Sequence, residues 1–297
     1  LKKVLLLSLT VILSVGIAAC SKKSTDSDSA FMHIHGLGYS SDGNRLLVPV
    51  HNGLSVYDNG KWFAGSGDKH DYMGFSASND GFYSSGHPAV GSAYENPLGL
   101  IKSTNDGKSI TVLALDGEVD FHGMTVGYRT HTIYALNQTP NSKMSQPGLF
   151  YSQDEGETWI KSEAVGLQGQ ITSISAHPTE KSIVAIGTAE GAFISSNKGE
   201  SFTVLLQGVS ISGITVLESG DTLVATSGPE AALYQISAET NHPVVINMPS
   251  TDDIMYIAQN PANPTELAAA TLQKSVFISG DDGTSWHEIV HEGVTRN

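Results

Sequence analysis

Apolar and polar positions alternate along this chain in short runs broken by turn residues, as in Thr222-Leu-Val-Ala-Thr226 and Ser275-Val-Phe-Ile-Ser279. Alternation with a period of two predicts half-buried β-strands. No segment after residue 30 sustains the 3.6-residue period of an amphipathic helix, so no helix is expected there. The strands also recur. Gly36, Gly74, Gly123, Ser173, Gly213 and Tyr256 each precede a similar tripeptide: Leu-Gly-Tyr, Phe-Ser-Ala, Met-Thr-Val, Ile-Ser-Ala, Ile-Thr-Val and Ile-Ala-Gln. Six equivalent strand starts, roughly 40–50 residues apart, predict six copies of one supersecondary unit.

A second repeat is in step with the first. Ser103-Thr-Asn-Asp-Gly-Lys-Ser-Ile110, Ser152-Gln-Asp-Glu-Gly-Glu-Thr-Trp159, Ser195-Ser-Asn-Lys-Gly-Glu-Ser-Phe202 and Ser279-Gly-Asp-Asp-Gly-Thr-Ser-Trp286 share the pattern S-x-[DN]-x-G-x-[ST]-apolar. The third positions, Asn105, Asp154, Asn197 and Asp281, are 49, 43 and 84 residues apart. The last gap is two repeats long, so one unit near Glu239 lacks the motif. One interval before Asn105 stands Asp58, in the shortened Tyr57-Asp-Asn-Gly-Lys-Trp62. The chemistry is that of a tight turn: the Asp or Asn side chain caps it, Gly takes the left-handed backbone, and the aromatic residue covers the hairpin.

These octapeptides resemble the Asp-box, or BNR, repeat of sialidase-type and sortilin-type β-propellers. The resemblance implies an all-β, six-bladed β-propeller with Asp-box hairpins between the two outer strands of its blades. Roughly 265 residues at about 40–45 per four-stranded blade fit six blades. The expected blades are 31–66, 67–116, 117–167, 168–207, 208–248 and 249–293 within a domain of residues 31–297. Sialidase chemistry is not carried over. The chain has three arginines (Arg45, Arg129 and Arg296), one at its extreme end, and it lacks the Arg-Ile-Pro signature.

The amino terminus changes the picture of where the domain works. Lys2-Lys3 precede an apolar run, Val4 to Ile17, too short to span a membrane. Ile17-Ala-Ala-Cys20 resembles the lipobox of bacterial lipoproteins, which implies a signal peptide over 1–19 and a diacylglyceryl anchor on Cys20. Cys20 is the single cysteine, so it has no disulfide partner within the chain. The polar stretch 20–30 is read as the lipidated residue and a flexible tether. The body is therefore expected in the cell envelope, held to the outer side of a membrane. Formal net charge is −14, and −16 once Lys2 and Lys3 leave with the leader. That excess disfavours nucleic acid and favours cations, neutral glycans or basic proteins. No Walker loop or dinucleotide fingerprint is present, so no nucleotide cofactor is expected.

Candidate chemistry gathers on one rim of the ring. His33, His35, His70 and His122 fall where the chain enters inner strands. His51 and His87 fall in connections between second and third strands of their blades. One position before the shared small residue stand His35, Met73, His122 and Met255; three before it stand His33, Asp71, Asp120 and Asp253. Residues two apart on a strand point the same way, so each strand offers a pair of side chains to the pore. Imidazole, thioether and carboxylate together suit a transition metal, copper before zinc. The expected ligands are His33, His35, His70, Met73, His122 and Met255. Asp71, Asp120, His51, His87, Met144 and Asp253 are expected around them at the rim. Tyr72 points the other way and is expected to pack between blades. The long loop Ser84 to Pro97 is expected to cover the pore mouth as a lid.

The chain also resembles bacterial Asp-box lipoproteins labelled glycosyl-hydrolase-like or sortilin-like, through His-Ile-His-Gly, His-Asp-Tyr-Met-Gly, Ser-Gly-His-Pro and Asp-Phe-His-Gly-Met. Three functions follow as expectations. The favoured one is a membrane-anchored propeller that binds a metal ion or small ligand at the mouth of blades 1–3. The second is a glycoside hydrolase using Asp71 and Asp120, which is not a sialidase. The third is an assembly scaffold that takes a protein partner.

Overall fold

The computed structural model describes residues 31–229 and 231–296. The expected leader, Cys20 and the expected tether lie outside the described residues. All regular structure among them is β. Six antiparallel sheets span residues 38–64, 71–114, 124–161, 171–207, 211–246 and 254–295, each with its strands in sequence order. Inner strands of successive sheets touch around a closed circle, and the sixth meets the first. The molecule is a six-bladed β-propeller.

Burial explains why the sheets stack this way. The second strands, such as Arg45–Val50 and Leu267–Thr271, are buried along nearly their whole length. A strand covered on both faces reads as a continuous apolar run. An apolar layer fills every gap between neighbouring blades. Tyr72, Phe75 and Phe82 of blade 2 pack on Leu47 and Val56 of blade 1, and equivalent layers recur around the ring. Tyr72 is thus an inter-blade packing residue, as its side of the strand predicts.

The four octapeptides form the turns between third and fourth strands. In each, the first Ser hydroxyl accepts the Gly N–H at 2.9 Å: Gly107 to Ser103, Gly156 to Ser152, Gly199 to Ser195 and Gly283 to Ser279. The Asn or Asp oxygen accepts the seventh residue's N–H, as Asp154 does from Thr158 at 2.9 Å. Trp159 and Trp286 fold back and donate their indole N–H to Gly156 and Gly283 carbonyls at 3.1 Å. The fourth residue is left-handed as well as the Gly: Asp106, Glu155, Lys198 and Asp282 have φ of 55–62°. Its side chain or carbonyl docks on the preceding blade, through Arg45 to Asp106, Lys102 to Glu155, and the Ser162 hydroxyl to the Lys198 carbonyl. Blade 1 turns on Asn59-Gly60, both left-handed, which is the two-residue hairpin preference. Blade 5 caps its turn instead with Asp221, which accepts the Ala238 N–H at 3.1 Å.

Among the described residues, the ring closes without strand exchange between the chain ends. The strands of blade 1 come from residues 38–64, with Ile34 bridging Val50 just before them, and those of blade 6 from 254–295. The seam is held by an apolar layer of Phe31, Tyr39, Val48, Ala268, Ile289 and their neighbours. Phe31 N–H donates to the Gly293 carbonyl at 2.7 Å, and the Asn260 amide donates to the Gly43 carbonyl at 2.8 Å.

Candidate functional site

Inner strands enter the pore from one rim, and a channel of about 370 Å³ runs between them. His35, His122 and Met255 line its mouth. In blades 4, 5 and 6 the entry to the inner strand carries a bulge that leaves Thr172, Ser212 and Met255 unpaired. A bulged residue is re-aimed out of the ladder, and all three line the channel. In blade 2 the irregularity falls one step later. Met73 stays paired with Ser85, and Gly74, at φ 53°, takes the channel position instead. Met73 is therefore not a channel residue, contrary to the two-residue alternation.

Two carboxylates organise the rim. Asp71 Oδ2 lies 2.8 Å from His51 Nδ1, and Asp71 Oδ1 lies 3.3 Å from His35 Nε2. The three side chains offer ligand atoms that all lie within 4.8 Å of one another. Asp120 Oδ2 lies 2.8 Å from His122 Nε2 and 3.2 Å from His87 Nε2. Of these four contacts only His122–Asp120 is aligned as a hydrogen bond. His35 Nε2, Asp71 Oδ1 and Asp120 Oδ1 are buried without a hydrogen-bond partner. His33 stands beside the first group, its ring centroid 6.0 Å from that of His35 and 6.3 Å from that of His51. Burial lowers the pKa of His35. Asp71 opposes that shift, while His33, His51 and His122 add to it. The balance favours neutral imidazole, the form that binds metals.

The fold brings together His33, His35, His51 and Asp71, and beside them His87, Asp120 and His122. Other expected residues lie elsewhere. His70 is buried in blade 2 between Tyr72 and Tyr94, and its Nδ1 accepts the Ala89 N–H at 2.9 Å. It anchors the long loop. The middle of that loop folds back on blade 2, with the Tyr94 hydroxyl on the Ile110 carbonyl at 3.2 Å, and does not line the channel; only its ends, at His87 and Asn96, reach the rim. It is not a lid over the pore. Met144 is also removed from the rim: it is 1% exposed, in the apolar layer between blades 2 and 3. Asp253 accepts from the Ser227 hydroxyl and the Gly228 N–H, capping the blade 5 connection. Asn96 was not foreseen: its Oδ1 lies 2.8 Å from His87 Nδ1 and orients that ring. Only its place in a long loop hinted at a role.

Each of the three arginines is paired with a carboxylate other than Asp71 and Asp120. Arg45 pairs with Asp106, Arg129 with Glu218 at 3.6 Å, and Arg296 with Glu288 at 3.0 Å. They form no carboxylate-binding cluster.

No protein-family model matches the sequence, and no curated protein matches it. Solved structures similar to it are β-propellers. The GH74 xyloglucanase of Xanthomonas campestris superposes with a TM-score of 0.56 at 15% identity, covering 89% of this chain and 46% of that one. YCF48 bound to a D1 peptide gives 0.52 at 13% identity, covering 87% and 82%. A chain of a nidogen/laminin complex gives 0.62 at 10% identity, covering 82% and 91%. The chain spans less than half the length of the GH74 enzymes it matches. At these identities the likeness is one of fold.

Proposed function

We propose that this protein binds a borderline divalent ion, zinc or copper(II), at the pore mouth through His35, His51 and Asp71, with His33 in reach as a fourth ligand. The observation that carries this is the unpaired His35 Nε2 facing the unpaired Asp71 Oδ1 at 3.3 Å, both buried. Two buried polar atoms left unsatisfied cost free energy, and a cation between them satisfies both. Ligand atoms around a tetrahedral ion with bonds of about 2.0–2.2 Å sit about 3.4 Å apart. The 3.3 Å and 2.8 Å contacts at Asp71 are of that order. The preference for copper rested on thioethers. With Met144 in the core and Met73 in the ladder, Met255 is the one expected thioether left on the channel, and two imidazoles and a carboxylate suit zinc as well.

The protein is further proposed to act in the cell envelope, anchored through Cys20. A glycoside hydrolase based on Asp71 and Asp120 fits less well. An acid catalyst must present a proton to its substrate, whereas each of these carboxylates faces two imidazoles. A protein partner in the pore would meet a mouth crowded with imidazoles rather than an open one.

Calorimetric titration of metal-stripped protein with zinc or copper(II) tests the reading. The His35→Ala/His51→Ala variant should bind one ion fewer per chain than the parent. Equal uptake by the two proteins refutes it.

A further inference from the structure

The blade 1/2 arrangement is repeated one blade further round. His51 and His87 occupy the same connection in blades 1 and 2, between the second and third strands. Asp71 and Asp120 occupy the same position at the entries of blades 2 and 3. At the blade 5/6 boundary Asp253 holds that position, and both of its oxygens take aligned hydrogen bonds from Ser227 and Gly228. A hydrogen-bonded cap is therefore enough to join two blades there. At the first two boundaries the carboxylates face imidazoles instead, and each keeps a buried oxygen with no partner.

The tautomer of His87 sharpens the difference. Its Nδ1 lies 2.8 Å from the Asn96 amide oxygen, an acceptor, so Nδ1 carries the ring proton. Nε2 is then the ring nitrogen turned towards Asp120 Oδ2, at 3.2 Å and without the alignment of a hydrogen bond. A proton on Nε2 is not aligned on that oxygen, whereas a metal ion between the two atoms engages both. His122 Nε2 reaches the same oxygen at 2.8 Å in an aligned hydrogen bond, and its side chain, 58% exposed, has to turn from that oxygen to take an ion. A second-sphere oxygen that fixes the ring of a ligating histidine is a usual feature of metal sites.

We propose that His87, Asp120 and His122 form a second divalent-cation site, with Asn96 as the residue that positions His87. The inference borrows its metal chemistry from the His35–His51–Asp71 reading, but it uses none of those ligands. The pore mouth then holds two ions of the zinc or copper(II) class in neighbouring sites. Two cations held in neighbouring sites repel each other, so the second ion binds more weakly than the first.

Zinc titration of the metal-stripped full chain, followed by calorimetry and metal analysis, separates the outcomes. The parent should bind two ions. His87→Ala/His122→Ala should bind one, with the remaining affinity within about twofold of the parent's tighter site. Asn96→Leu should keep both ions but weaken one about 10–100-fold, the usual effect of removing such an orienting group. Asn96→Asp should restore or exceed parental affinity at that site. A parent that binds one ion, lost in His35→Ala/His51→Ala, overturns the second site and leaves the first. One ion lost only in His87→Ala/His122→Ala supports this site and overturns the other. No ion in the parent overturns both. His87 and His122 are largely exposed, so their variants should keep the parental melting temperature.

Discussion

At the scale of single residues, the same turn is capped by two different side chains. His177 Nδ1 accepts the N–H groups of Thr179 and Glu180 at 3.1 and 3.2 Å. Asn260 Oδ1 accepts those of Ala262 and Asn263 at 2.9 and 3.3 Å. Each precedes a proline, His177-Pro178 and Asn260-Pro261. The histidine version brings a proton into play. Burial lowers the His177 pKa, against the pull of Glu180 and Glu218. The unfolded chain takes up a proton below about pH 6.5, which the folded chain resists. Stability is therefore full above that pH and declines as the pH falls towards the folded value. His177→Asn should fold and should lose less melting temperature between pH 7.5 and 5 than the parent. Parallel pH profiles would show that His177 is not the group responsible. The site residues were legible in part. Spacing on the inner strands put His35, Asp71, Asp120 and His122 on one rim. It also placed His70 there, because sequence cannot show a ring turned inward to accept a backbone N–H. It left His51 and His87 at the margin, because how close a connection approaches the next blade depends on blade packing.

At the scale of elements, the turn octapeptides were read from the chain nearly atom by atom. Ser, Asp or Asn and Gly do there what their chemistry suggests. The left-handed fourth position was not legible, since Asp, Glu and Lys all occupy it and no single type marks it. The inner strands were less faithful to the pattern. Strict alternation put Met73 in the pore, and a bulge displaced by one step removed it. Two substitutions separate the parts of the turn. Ser152→Ala leaves the buried Gly156 N–H without its acceptor and should cost about 1–3 kcal/mol. Gly156→Ala should cost more: φ is 85°, and a Cβ there would lie 2.5 Å from the Leu100 side chain. Chemical denaturation would measure both. Metal uptake should be unchanged in either variant, because these turns occupy the rim opposite the imidazoles.

At the scale of the whole molecule, the seam between blades 6 and 1 is the boundary to watch. It has side-chain packing and a few hydrogen bonds where strand exchange would otherwise join the ends. Trp62 lies across it, its ring 5.1 Å from Phe31 and its indole N–H on the Ile289 carbonyl at 3.3 Å. Trp62→Ala should cost roughly 2–3 kcal/mol, less than a fully buried tryptophan because the ring is half-buried. Limited proteolysis of that variant should cut first near residues 31 and 293. Cuts at the blade 3/4 boundary instead would show that the seam is not the weak point.

The seam also fixes where the chain enters the ring. Phe31, bonded to Gly293, lies two residues before His33 and lines the same groove as His51. The described chain therefore enters the ring beside the imidazole face. For a chain held by an acyl group on Cys20, eleven residues of leash reach at most about 40 Å. On the anchoring and metal-binding readings proposed above, the imidazole face is the one that lies beside the point of attachment, and the hairpin face lies on the other side of the ring.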